Sequence, residues 1–173
     1  MVHTLPDDGN RYEVIDGELF VSPAPTLRHQ RAIVELLVRL KPYVAGVGLE
    51  VLMAPAAITW SSRTEVQPDL LALPLLHGQL AERFEDVGVL ALAVEVLSPS
   101  STRTDRFTKR REYQRRGVSE YWIVDPATRS IERWRPTDEE PEILFELLLW
   151  QPHPAVAPLS LDIAGLFRAV DGA

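Results

Sequence analysis

The chain has 173 residues, 46% of them hydrophobic and 25% charged, with a net charge of −7; that balance excludes a fibre, a collagen-like repeat and a chain too polar to fold. At this length a folded domain hides about 70% of the surface its unfolded chain exposes, so no disulfide or structural metal is required. The absence of cysteine removes thiolate metal sites and a cysteine nucleophile, and the acidity argues against a protein that coats nucleic acid over its whole surface.

Tyr12–Ile15 and Glu18–Val21 flank Asp16-Gly17, a hairpin signal. Thr26 is placed to cap a helix whose Ile33, Leu36, Leu37, Leu40 and Val44 follow the 3.6-residue period, with Pro42 expected to disturb its last turn. Leu49–Met53 and Ala56–Trp60, divided by Pro55, read as strands. Pro68 then opens a short buried strand, Asp69–Leu73, with proline at a tolerated position. A loop follows from Pro74 to Gly88, with a helical turn expected at Gln79–Arg83. Leu90–Leu97 is an almost unbroken apolar strand suited to the middle of a covered sheet. Thr104 or Asp105 is expected to cap a basic helix that Gly117 ends. Glu120–Val124, Ser130–Arg135 and Ile143–Trp150 read as further strands, and Ile163–Val170 as a short helix. The order predicts one α+β domain spanning 1–173, with a sheet and few helices. The start of the chain has no apolar leader and the best apolar run carries Glu95, so a soluble cytoplasmic protein without membrane contact is expected.

Chemistry concentrates at a few residues. Glu95 stands inside an apolar strand, where an unpaired buried carboxylate costs several kcal/mol, so the fold must supply a partner. Asp69, at the entrance of another apolar strand, is similarly placed. Two carboxylates on neighbouring strands make a seat for a hard cation such as Mg²⁺ or Mn²⁺; pairing of Glu95 with an arginine is the alternative. Seven basic residues lie between Arg103 and Arg116 against two acidic ones, which leaves −12 for the remainder. That run is either a solvated helix face or a surface for phosphates. Lys109 departs from its arginine-rich surroundings, since the only other lysine is Lys41. Its compact ammonium suits a point contact to phosphate. Asp105, Lys109 and Tyr113 share a helix face, which an ordinary i,i+4 ion pair would also explain. His29 opens the first helix facing either core or site, and Glu18 and Glu35 are possible third acids. The serines 98, 100 and 101 form no nucleophile elbow, and there is no glycine-rich phosphate loop.

The order YEVIDGEL, His29, Pro68-Asp69, EVLSPSS from Glu95, Asp105, Lys109, Tyr113 and GVSEYWIVDP resembles the Uma-two family of endonucleases, in the PD-(D/E)XK restriction-endonuclease-like superfamily. The resemblance runs from about Tyr12 past Pro126. It implies a mixed β-sheet flanked by helices, with Asp69 and Glu95 as metal-binding acids. The superfamily lysine usually stands two residues after the acid, where this chain has Leu97; the matching lysine here is Lys109 on the following helix. The resemblance further implies Mg²⁺-dependent phosphodiester hydrolysis in DNA, with Lys109 stabilising developing charge. Glu18, His29, Asp105 and Tyr113 would then support the site, while Arg103, Arg106 and Arg110 grip the nucleic-acid backbone. Homodimers or higher homo-oligomers are expected. A catalytically silent nucleic-acid- or protein-binding module, or an oligomeric regulatory subunit, is the competing expectation.

Overall fold

Asp16 and Gly17 both take positive φ, 54° and 88°, the backbone that a two-residue hairpin turn favours. In the computed structural model, which describes residues 8–172, they join β1 (Arg11–Ile15) to β2 (Glu18–Ser22) in antiparallel register, with Ile15 opposite Glu18. Helix α1 (Leu27–Ala45) follows, its N-terminus capped by Thr26, whose side chain accepts from the His29 amide. It runs through Pro42 without breaking. The proline lies in the last turn and forgoes one hydrogen bond, while Leu36, Leu40 and Val44 keep the helix bound to the core.

Strands β3 (Leu49–Met53), β4 (Ile58–Ser61), β5 (Thr64–Val66) and β6 (Leu70–Pro74) come next. The expected helical turn at Gln79–Arg83 does not form; the loop instead makes a 3₁₀ turn at Phe84–Asp86. After β7 (Leu92–Val96), residues 102–103 are already helical and Thr104–Lys109 form a π-helical stretch that leads into α2 (Arg110–Arg115). Neither Thr104 nor Asp105 therefore caps the helix. Its first turn closes earlier, on the Ser98 carbonyl, which accepts from the Thr102 amide and hydroxyl. Strands β8 (Glu120–Asp125) and β9 (Ser130–Trp134) follow. The segment expected as one strand, Ile143–Trp150, divides into β10 (Glu142–Leu144) and β11 (Leu147–Trp150), because Leu148 and Trp150 turn into the core and pair with β12 (Leu159–Asp162). Helix α3 (Ile163–Asp171) ends the described chain, capped by the Asp162 carboxylate.

The principal sheet has the order β10-β9-β8-β7-β6-β3, and its β7–β8 pair is parallel while the others are antiparallel. A second sheet, β2-β1-β5-β4, carries the hairpin. Alternation along the central strands sends their side chains to two separate cores. Leu70, Ala72, Leu92, Val94, Val96, Trp122 and Val124 meet α1, α3 and β11, whereas Leu71, Leu73, Ala93, Leu97, Tyr121 and Ile123 meet the hairpin sheet and Tyr113 of α2. The architecture is α+β with a mixed principal sheet, and it places Asp69 and Glu95 with the second set.

Candidate active site

Leu70 pairs with Val94 across β6 and β7, so the register carries Asp69 opposite Glu95 at the end of the pairing, on one face of the sheet. Arg11 and Glu13 alternate with Tyr12 along β1 and face the same place. Asp105 and Lys109 are one π-helical turn apart, and Tyr113 follows on α2. Four segments remote in sequence, β1, the entrance of β6, β7 and the π-helical stretch, thus bring four carboxylates, Glu13, Asp69, Glu95 and Asp105, into one buried cluster with the ammonium of Lys109 and the guanidinium of Arg11.

Lys109 is sealed inside, with 1% of its side chain exposed. Its Nζ lies 2.7 Å from Glu13 Oε2, 2.9 Å from Glu95 Oε1 and 3.7 Å from Asp105 Oδ1. Burial by itself would lower the lysine pKa, but Glu13, Glu95 and Asp105 outweigh it and raise it, so Lys109 is charged. Tyr113 donates to the same Glu95 Oε1 at 3.0 Å, and burial together with the Glu95 charge pushes its phenol well above the usual range. Tyr121 donates to the Asp105 carbonyl at 3.1 Å.

Asp69 is held from three sides. Arg11 Nη1 donates to Oδ1 at 2.7 Å, the Val96 amide donates to Oδ2 at 2.8 Å, and His29 Nε2 lies 3.1 Å from Oδ2. Burial pushes its pKa upward, but the His29 hydrogen bond, the Arg11 charge and the Val96 amide prevail and bring it down to about 2. Glu95 goes the other way. It is wholly buried, and burial, with Asp69 and Asp105 nearby, raises its pKa well above the ordinary carboxylate value despite Lys109. Burial raises Asp105 too.

Three buried carboxylate oxygens describe what the cluster is suited to hold. Glu95 Oε2 is buried without a hydrogen-bond partner, and both Asp105 carboxylate oxygens share that condition. Among the described residues no group of three or more His, Asp or Glu is arranged to hold a metal by itself. A Glu95–Asp69 pair with one unpartnered oxygen nevertheless fits a hard divalent ion of the Mg²⁺ type, which binds through one or two carboxylates and takes other ligands from water and phosphate. A cleft of about 540 Å³, lined by Arg11, His29, Asp69 and Ser98, reaches Asp69, with Glu95 buried behind it. His29 Nδ1, buried and without a partner, belongs to a residue that lines it.

Of the residues singled out in the sequence, Asp69, Glu95, Asp105, Lys109, Tyr113 and His29 come together here. Glu18 does not: it is exposed beside the hairpin turn. The acid that β1 sends into the cluster is Glu13, and its companion is Arg11; sequence reasoning passed over both. The signal was available, since Glu13 precedes the buried pair Val14-Ile15 just as Glu95 interrupts an apolar strand. Glu35 pairs with Arg39 on α1. The basic helix is also more engaged than its charge suggests. Arg106 contacts Glu132 and Asp125, Arg110 lies over the Trp134 ring at 4.7 Å, and Arg115 and Arg116 pair with Glu112. Arg103 is exposed and, among the described residues, forms no ion pair. No helix among the described residues is long and apolar enough to cross a membrane.

The sequence model of the Uma2 family, described as "Putative restriction endonuclease", matches residues 1–164. A crystal structure from Anabaena variabilis ATCC 29413, described as a "putative nuclease", superimposes with a TM-score of 0.78 at 20% identity, over 97% of this chain and 96% of that one. At such identity the likeness is one of fold. No curated protein sequence matches the chain.

Proposed function

The chain belongs to the Uma2 family of restriction-endonuclease-type proteins, and from that premise we propose that it is a metal-dependent endonuclease hydrolysing phosphodiester bonds in DNA. The observation that carries this reading is the Asp69–Glu95 pair, set opposite in register with Lys109 behind it. Asp69 and Glu95 would hold Mg²⁺ or Mn²⁺, Glu95 through its unpartnered Oε2. The ion supplies charge neutralisation at the phosphate and a more acidic water.

The chain's own groups do the positioning. Lys109 and Tyr113 both engage Glu95 Oε1, which fixes the rotation of the carboxylate and leaves Oε2 without a hydrogen bond. The ammonium also contributes positive potential where charge develops on the scissile phosphate. The Val96 amide and His29 orient Asp69, and His29 Nδ1 offers a polar contact to a substrate in the cleft. Arg103 would touch the DNA backbone, positioning it without reading bases. Arg106 and Arg110, already committed to Glu132, Asp125 and Trp134, would do so less. A cytoplasmic homodimer belongs to the same reading, with β10 an open sheet edge and Ile143, Phe145, Leu147 and Leu149 exposed nearby.

The test is calorimetric titration with Mn²⁺ of the wild type, Asp69→Ala and Glu95→Ala, alongside cleavage of single-stranded and duplex DNA. Binding and cleavage lost in both variants support the reading; a folded wild type that neither binds Mn²⁺ nor cleaves either DNA form defeats it. A catalytically silent module of the same fold is the second reading, favoured by the internal engagement of the arginines. Metal-dependent cleavage that disappears in Glu95→Ala excludes it.

A further inference from the structure

Arg11 differs from the other cation of the cluster in where it faces. Lys109 is enclosed, whereas the Arg11 side chain is 21% exposed and lines the cleft. Its guanidinium spans the two carboxylates assigned to the metal. Nη1 lies 2.7 Å from Asp69 Oδ1 and Nη2 lies 3.9 Å from Glu95 Oε2, the carboxylate oxygen that has no hydrogen bond. Nε stands 3.7 Å from Glu13, and Nη1 also donates to the Gln67 carbonyl at 3.2 Å.

We propose that Arg11 holds the cation position between Asp69 and Glu95 in the metal-free protein and, when a divalent ion takes that position, turns into the cleft to bind the substrate's phosphate. This rests on the nuclease reading above. Three observations support it. The guanidinium and a divalent ion would compete for the same two carboxylates, and like charges at such separations repel strongly in a partly buried site. The cleft beside Arg11 has room for the displaced side chain, and the movement requires only rotation of a long, unbranched side chain. Among the described residues lining that cleft, Arg11 is the sole lysine or arginine, so an anionic group approaching Asp69 along it meets no other fixed cation. A guanidinium suits the task because its forked donors match two phosphate oxygens. The exchange also leaves each cation with an anionic partner: the metal replaces the arginine between the acids, and the arginine then faces the phosphate.

The proposal reverses the usual expectation for a residue that supports a metal site. Arg11→Gln should bind Mn²⁺ more tightly than wild type, by roughly tenfold, because a competitor is gone. It should also bind a fluorescein-labelled DNA oligonucleotide in Ca²⁺ more weakly, by roughly tenfold, because a charge-assisted phosphate contact is lost. Arg11→Lys, which keeps a charge but not the fork, controls for folding and should fall between wild type and Arg11→Gln in Mn²⁺ affinity. Near-ultraviolet circular dichroism verifies that each variant is folded. Unchanged or weaker Mn²⁺ binding in the folded variants overturns the displacement, and unchanged oligonucleotide affinity overturns the phosphate contact. Failure of every protein, wild type included, to bind Mn²⁺ would instead remove the nuclease reading on which the inference stands.

Discussion

The two faces of the six-stranded sheet are built for different ends. One packs Leu36, Leu40, Leu70, Leu92, Trp122, Trp150 and Phe167 beneath α1 and α3, with aliphatic and aromatic side chains throughout its centre. The other surrounds Tyr113, Tyr121 and Ile123 with Glu13, Glu95, Asp105 and Lys109, a buried cluster of titratable groups. Burial of apolar area stabilises the first face at about 25 cal/mol per Å². The second spends part of that stability on desolvating charged and titratable groups. The same strands serve both, because alternate residues point opposite ways.

The sharpest way to break this comparison is Lys109→Met. It leaves Glu13 and Glu95 buried without their shared cation and should destabilise the protein by about 3–5 kcal/mol, with Lys109→Met/Glu95→Gln recovering part of the loss in urea unfolding. On the dry face, Leu36→Ala should cost about 2–5 kcal/mol by cavity formation, yet Mn²⁺ affinity of the folded fraction should be unaltered. A smaller effect concerns pH. Asp69 is held at about 2 against an ordinary value of 3.8, so its contribution is present above about pH 4 and is lost as pH falls towards 2. Wild type should therefore exceed Asp69→Asn in stability by about 2 kcal/mol at pH 5, and the gap should close by about pH 2 in parallel unfolding curves. An increase of that gap on acidification would contradict the depressed carboxyl. Smallest of all, Arg103→Ala should change stability by less than about 0.5 kcal/mol and reduce the salt dependence of DNA binding by about one phosphate contact.

The parts of this molecule that were legible in its sequence are those fixed locally. Asp16-Gly17 announces a turn because few residues accept its backbone, and the α1 stripe declares its buried side by period. Asp69 and Glu95 were legible as anomalies, since a carboxylate in an apolar strand demands compensation. What supplies the compensation was not legible. Lys109 is 14 residues from Glu95, but Arg11 is 58 from Asp69, and that meeting is decided by how the hairpin sheet lies across the principal one. Glu18 was named and Glu13 was not, since neither its place after the turn nor its match to the family pattern says which way a strand residue points. The division of Ile143–Trp150 escaped for a related reason: an apolar run does not reveal that its halves join different sheets.

The register that sets Asp69 opposite Glu95 has a consequence for assembly of the fold itself. Strand residues alternate sides, so slipping β7 by one place would carry Glu95 from Lys109 and Tyr113 into the aliphatic packing under α1, and would deliver Val94 or Val96 among the acids. Such a mispaired sheet would strand a carboxylate in a medium with no counterion and leave Lys109 facing a hydrocarbon. Against a slip of one place, the polar cluster therefore adds an electrostatic penalty to the hydrophobic one, and the register is specified from both faces of the sheet.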